Sequence, residues 1–359
     1  MDFAWEDSAA AVRDLAAEVL RRESDRAGDD NDAAHEAVWK ALGEAGLLSL
    51  AVREDSGGAG LGPVEVSAVL REIGRRAIRA PVLATTAFAV LPIARLGTPA
   101  QQSVLDGVDG GRILTAAFHE PSEPFPHAPR VTARTDGDAI VVSGTKTAVQ
   151  HAETAHRALV SVSCDGEPAV VIADLAADGV KVSSKTNSAG VPTASVHFDE
   201  TRLARRALLG ERTGPDVVRE LYRSILCGLC ATADGALAGA LDLTAEYVRN
   251  RTQFDRPLAE FQSVAGQIAD VYVAARTMSV ATTSACWRWG EGLDPDEDLA
   301  VASFWLADEL PTAVRTCHHL HGGVGVDVTY PMHRYYSSIK DLAALAGGSA
   351  QRLEALATV

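Results

Sequence analysis

From the first residues the apolar positions keep helical spacing, with Val12, Leu15, Ala16, Val19 and Leu20 recurring at steps of three and four, the pattern of one buried helix face. It runs from Trp5 to about Gly111 and predicts a helix-rich first segment. The pattern breaks at Arg53-Glu54-Asp55-Ser56-Gly57-Gly58-Ala59-Gly60-Leu61-Gly62-Pro63, where the glycines free the backbone for a loop. A helix restarts at Val64 and Glu65. The apolar run Ala80 to Ala94 contains Pro81 and Pro92 and falls short of the roughly 20 residues a membrane span needs, so it reads as a buried helix.

From Ile113 to about Gly210 the texture changes to short β-branched runs split by turn residues. These are Ala139-Ile140-Val141-Val142 after Asp136-Gly137-Asp138, then Leu159 to Val162, Ala169 to Ile172 and Ser195 to Phe198, which predicts a small antiparallel β domain. After Pro215 helical spacing returns, with Leu226, Leu229, Ala233, Leu237 and Leu241 on one face, and long helices of this kind pack as a bundle. The expected class is α+β: an N-terminal helical domain (residues 1–112), a β domain (113–212) and a C-terminal four-helix bundle (213–359). No βαβ alternation occurs, nor a G-x-G-x-x-G after a strand, so a Rossmann fold is disfavoured.

A length of 359 residues suits two or three domains, and 47% hydrophobic with 23% charged residues is an ordinary globular composition. The net charge of −15 repels phosphate backbones and anionic membranes, so neither nucleic acid nor membrane is expected as a partner. Met1-Asp2-Phe3-Ala4-Trp5-Glu6-Asp7 lacks the basic start and apolar stretch of a secretory signal, and a cytoplasmic location is expected. Cys164, Cys227, Cys230, Cys286 and Cys317 fit reduced thiols better than a disulfide framework, and Cys227-x-x-Cys230 lacks a second ligand pair for zinc. His318, His319 and His321 suggest a metal at first sight, but i, i+2 spacing points His319 and His321 apart on a helix; no metal site is expected.

Four motifs carry more chemistry. Glu54 to Gly60 forms a glycine loop. His119-Glu120-Pro121 precedes Val142-Ser143-Gly144-Thr145-Lys146. Arg251-Thr252-Gln253-Phe254 is followed by Phe261-Gln262, and His321-Gly322-Gly323-Val324-Gly325 by Tyr330-Pro331. An arginine fork suits a pyrophosphate, and paired glycines let a cofactor approach backbone amides. Read without context, such an arginine is more often a surface salt-bridge partner, and only the combined spacing of the motifs reverses that reading. In order and spacing the four motifs resemble the acyl-CoA dehydrogenase family over essentially the whole chain, with Asp255 where that family has a glycine and His319 where it has a glutamine. The resemblance implies α,β-dehydrogenation of an acyl-CoA thioester with FAD. It also implies that Arg251, Gln253, Phe254, Gln262, His319, Gly322 and Gly323 reach across a subunit interface, formed by the C-terminal domain, to FAD in a partner.

The chain departs from the family where proton abstraction needs a glutamate. Counting fifteen residues from Pro331 reaches Ala346, before Gly347-Gly348, and the alternative helix position falls at Ile225. Neither carries a carboxylate, and Glu220, about one and a half turns earlier, serves only if the alignment slips. No catalytic residue is therefore assigned. The flavin-wrapping segment is replaced by His119-Glu120-Pro121-Ser122-Glu123-Pro124-Phe125-Pro126-His127, and Thr147-Ala148-Val149-Gln150 stands where a Trp-x-(Ser/Thr) is expected. Decay of the chain's own site beside retention of residues offered to a neighbour is similar to the smaller subunit of actinobacterial heteromeric acyl-CoA dehydrogenases. That resemblance, carried by Gly322 to Tyr336, implies an α2β2 assembly with a catalytic subunit, FAD shared at the interface, bulky steroid side-chain CoA thioesters as substrates and an electron-transfer flavoprotein or similar acceptor. The alternatives are a self-sufficient homomer using Glu220 and a flavin-free acyl-CoA-binding scaffold.

Overall fold

The computed structural model describes residues 7–27 and 32–359; Trp5, where the helical pattern starts, and the rest of the acidic N-terminus before Asp7 lie outside the described residues. The described residues form two compact units, one of residues 7–13, 67–78 and 229–359, the other of residues 14–27, 32–66 and 79–228.

The N-terminal helices are α1 (Asp7–Ala27), α2 (Asp32–Glu44), α3 (Pro63–Arg75), α4 (Val82–Thr85), α5 (Leu91–Leu96) and α6 (Pro99–Gln102). On α1 the expected stripe of Val12, Ala16, Val19 and Leu20 is buried, whereas Leu15 is 45% exposed. One residue of offset turns a side chain by about 100°, enough to carry Leu15 off the stripe. The loop after Arg53 is closed by amides of Gly58 and Gly60 donating to the carbonyls of Arg53 and Val52 (3.0 and 2.8 Å). The apolar run near residue 80 is helical from Val82 to Leu96, with a π-helical turn at Thr86–Val90 in which the Leu91 amide donates to the Thr86 carbonyl. Pro92 cannot donate to the fourth residue before it and its ring crowds that carbonyl, so the widened turn sits where the α-ladder must break.

The β region has strands β1 (Leu114–Ala117), β2 (Thr132–Asp136), β3 (Ala139–Gln150), β4 (Arg157–Cys164), β5 (Glu167–Ala173), β6 (Val180–Thr186) and β7 (Pro192–Ala204). They lie in the order β1-β4-β2-β3-β7-β6, with β5 also on β4. The pairings β2–β3, β3–β7, β6–β7 and β4–β5 are antiparallel. β4 runs parallel to β1 and β2, because the turn after β3 returns the chain across β2 in the original direction. Val131, Ile140, Val142, Val160, Val171, Val196 and Phe198 fill the core beneath the sheet, β-branched and aromatic side chains that pack well on a pleated surface.

The C-terminal elements are α7 (Pro215–Asn250), the two-stranded hairpin β8 (Thr252–Gln253) and β9 (Arg256–Pro257), α8 (Gln262–Gly290), α9 (Asp296–His321), α10 (Met332–Leu345) and α11 (Gly348–Leu356). α7 was expected to bury one face. From Leu221 to Ala240 only Arg223 and Ala238 are even partly exposed, while Leu241 is half-buried. It is long and apolar enough to cross a membrane by composition, yet 89% of that stretch is buried within the protein. Glycines allow residues 67–75 of α3 to lie directly on α7. A Cβ at Gly235 would stand 1.8 Å from the Arg71 carbonyl oxygen and one at Gly74 would stand 1.9 Å from that of Thr232. Arg71 pairs with the buried Asp234 at 2.7 Å across the same contact. Burial pushes that carboxyl above its ordinary pKa, and Arg71 opposes the rise.

Candidate functional site

The last turn of α7 sets the first part of the site: the Arg251 amide donates to the Tyr247 carbonyl at 2.8 Å, and the Arg251 carbonyl accepts from the Leu258 amide at 2.9 Å. Between them the hairpin turns on Phe254 and Asp255, at φ of 52° and 63°. Two successive left-handed residues make the tight primed turn that suits strand twist. Asp255 thus fills a position that favours glycine, and aspartate is among the few side chains that tolerate it. Phe254 is 87% exposed and its ring meets Phe261 edge-on at 6.3 Å, while the Arg256 guanidinium lies 3.9 Å above the Phe261 ring. Arg251, Gln253 and Gln262 face solvent. Arg251 forms no ion pair among the described residues.

The second part grows from the end of α9. His321 is buried, its Nδ1 sits 2.8 Å from the Cys317 carbonyl, and its ring stacks on Tyr247 with centroids 4.6 Å apart. Tyr330 packs against both rings, at 5.2 Å from His321 and 6.4 Å from Tyr247. Burial holds the His321 pKa below its ordinary value, with the neighbouring His318 adding to the effect. Gly322 follows at φ 58°, ψ −137°, a conformation open essentially to glycine alone. A Cβ on Gly322 or Gly323 would meet nothing within 4 Å, so this backbone faces open space. His319 is exposed while His321 is buried, as their spacing predicts. The loop beyond bares Val326 and Val328, the latter 78% exposed.

The ring stack therefore brings the arginine motif and the glycine motif to one end of the same unit. Pattern reading missed Tyr247, although it lies one helical turn before Arg251 on the same helix face, and it had noted Tyr330 only as part of a motif.

Positions examined for a general base hold none. Ala346 is wholly buried at the end of α10, its amide donating to the Leu342 carbonyl at 2.8 Å, and Gly347 and Gly348 follow at positive φ. Ile225 is also wholly buried. The Glu220 carboxylate is engaged by Arg223 at 2.8 Å and by Arg95 at 3.7 Å.

In the β region, His119-Glu120-Pro121 and Gly144-Thr145-Lys146 meet through a buried ion pair. Lys146 Nζ donates to Glu120 Oε1 at 2.7 Å and to Ser161 Oγ at 2.9 Å, and the Glu120 carboxylate also accepts from the amides of Arg130 and Val131. Burial drives the Lys146 pKa down to about 8. For Glu120 burial works upward, but the Lys146 ammonium and the amides bring it below the ordinary value. After this pair the chain folds inward: Phe125 packs on Phe118, His119 and Tyr222 at 5.0, 5.4 and 5.2 Å, and Tyr222 Oη donates to the Pro126 carbonyl at 2.9 Å.

Residues 6–105 match the family model for the acyl-CoA dehydrogenase N-terminal domain and residues 227–359 that for the C-terminal domain. The chain belongs to the acyl-CoA dehydrogenase family. Acyl-CoA dehydrogenase FadE28 of Mycobacterium tuberculosis is 41% identical over 357 residues, 99% of this chain and 98% of that protein. A chain of the ChsE4-ChsE5 complex from Mycobacterium tuberculosis superposes with a TM-score of 0.91 at 31% identity, covering 100% of this chain and 98% of that one. The Tcur3481-Tcur3483 steroid ACAD, solved as a G363A variant, gives 0.89 at 32% identity, covering 98% and 96%. Acyl-CoA dehydrogenases are oxidoreductases, and against that background the exposed arginine and glycine motifs stand out beside the positions lacking a base.

Proposed function

We propose that this chain is the base-lacking subunit of a heteromeric, FAD-dependent acyl-CoA dehydrogenase, and that its surface completes a flavin site centred on a partner subunit. The carrying observation is that Arg251, Gln253, Phe254, Gln262, His319, Gly322 and Gly323 all face solvent while Ala346 occupies the expected position of the base. FAD fits this donor set: a guanidinium free of internal pairing can fork onto a pyrophosphate, and the Gly322-Gly323 backbone faces open space that a cofactor can enter. When bound, FAD accepts the hydride that leaves the acyl-CoA β-carbon. Arg251 holds negative charge, Gly322 and Gly323 allow close approach, and Phe254 with Val326 and Val328 offers apolar surface to the partner. The α-proton is taken by a carboxylate of the partner. Assembly of the related ChsE4-ChsE5 and Tcur3481-Tcur3483 pairs supports a second dehydrogenase-like subunit, and the latter's description as a steroid ACAD supports bulky steroid side-chain thioesters as substrates. Electrons then pass to an electron-transfer flavoprotein or similar acceptor.

The test is flavin absorbance and mass of the chain expressed alone and with a second dehydrogenase-like chain. Flavin only on co-expression, at one per two chains and lost in Arg251→Ala, is expected. Full flavin and acyl-CoA oxidation by the lone chain would overturn the proposal in favour of a homomeric enzyme, and an active complex indifferent to Arg251→Ala would overturn the role in trans.

A further inference from the structure

The loop that joins β7 to α7 borders an open surface cleft of about 550 Å³ lined by Arg205, Arg206, Leu208, Glu211, Arg212 and Thr213, all of them exposed except Leu208. It is a concentration of positive charge in a chain of net charge −15. Arg212 reaches Asp216 at 3.1 Å, with both side chains about half exposed; Arg205 and Arg206 form no ion pair among the described residues. Arg205 contributes to lowering the nearby Asp165 carboxyl, and guanidinia that line one cleft offer forked, charge-assisted donors to an oxyanion.

The loop's backbone is fixed from beneath. The buried Gln101 donates through Nε2 to the carbonyls of Arg206 (2.8 Å) and Leu208, and its Oε1 accepts from the Gly210 amide at 2.9 Å. The Arg205 amide donates to the Asp138 carbonyl at 2.9 Å, and Leu208 bridges to Val171. Gly210 and Glu211 both hold positive φ, 66° and 53°. The arginines therefore project from a preformed frame rather than from a free strand end, which lowers the entropy lost on binding.

The lining is mixed in a way that narrows the ligand. Three forked donors suit phosphate oxygens, the Glu211 carboxylate accepts hydrogen bonds and repels bare anions, and the cleft is large enough to seat a small organic molecule. We infer that this cleft binds a phosphorylated, hydroxyl-bearing small molecule of the nucleotide class, with phosphates on Arg205, Arg206 and Arg212 and sugar hydroxyls on Glu211. The inference is independent of the flavin reading, which uses residues of the other unit.

Equilibrium dialysis of the full chain, in complex with its partner where it has one, against ADP and against inorganic pyrophosphate tests it. Saturable binding of ADP is expected at one per chain, unchanged in Arg251→Ala. Each guanidinium removed should weaken binding roughly tenfold, so Arg205→Gln/Arg206→Gln weakens both probes about a hundredfold. The charge-matched Lys181→Gln/Lys185→Gln, on the exposed β6, changes either by no more than about twofold. Glu211→Gln weakens ADP and leaves pyrophosphate as tight or tighter. Absent saturable binding, equal losses in the lysine control, loss on Arg251→Ala, or tightening of ADP by Glu211→Gln would each overturn it.

Discussion

The ring of Tyr247 lies against that of His321, centroids 4.6 Å apart and planes inclined by 29°. This contact ties the last turn of α7 to the last residue of α9, and so sets Arg251 at a fixed remove from Gly322. Removing one ring of such a pair forfeits about 1 kcal/mol beyond the buried area. Tyr247→Ala should leave the chain folded and able to join its partner while weakening FAD binding to the complex roughly fivefold to tenfold. Tyr247→Phe should retain wild-type affinity, because among the described residues the Tyr247 hydroxyl makes no hydrogen bond. Flavin titration of the apo-complex measures both.

Glu220 is the carboxylate that pattern alone leaves as a rival base, and its two arginine partners argue otherwise. A carboxylate whose oxygens are engaged by two guanidinia is not free to reach a proton on carbon. Glu220→Gln should change kcat of the assembled enzyme by no more than about twofold and lower stability by about 0.5 kcal/mol, the range for partly exposed pairs. A loss of kcat of a hundredfold or more would locate the base here after all.

The Glu120–Lys146 pair is wholly enclosed, with side-chain exposures of 2% and 0%. Removing one member strands the other, at a cost of about 3–5 kcal/mol, whereas replacing both by apolar groups costs far less. Glu120→Gln should therefore destabilise strongly in urea unfolding, and Glu120→Gln with Lys146→Met should recover much of the loss. Equal destabilisation by single and double variants would show that the pair is not coupled.

How far the chain could be read in advance depends on the range of the interaction. The loop at Arg53 to Pro63, the strands around Val141 and Val171 and the α1 stripe are local patterns, and they appear where the residues put them. The all-round burial of α7 was not legible, because Gly228, Cys230, Ala231 and Ala236 are small enough for either surface and leave only the leucine stripe to read. Arg251, Gly322 and Gly323 were visible as motifs, but the Tyr247–His321 stack that unites them joins positions far apart in sequence. The cleft beside Arg206 depends on Gln101, whose hydrogen bonds reach across more than a hundred residues, and no local pattern announces it. His119-Glu120-Pro121 and Gly144-Thr145-Lys146 were seen as a pair, yet the buried ion pair that joins them emerges only once the bridge between His119 and Thr147 lays the segment after β1 beside β3.

His151 gives the protein an acid-sensitive point. It is buried at the turn after β3, its amide donating to the Pro192 carbonyl at 2.9 Å, and desolvation lowers its pKa from 6.5 to about 4. Between those values the unfolded chain binds a proton that the native chain refuses, so stability is full above pH 6.5 and declines as pH falls towards about 4. The shift corresponds to a loss of up to ~3 kcal/mol across that window. The backbone there sits at φ 52°, which asparagine tolerates better than most residues. His151→Asn should therefore keep the turn and flatten the decline between pH 6.5 and 4, a difference read from urea midpoints of the two proteins at half-unit pH steps. Parallel curves would mean that the acid sensitivity arises from other groups.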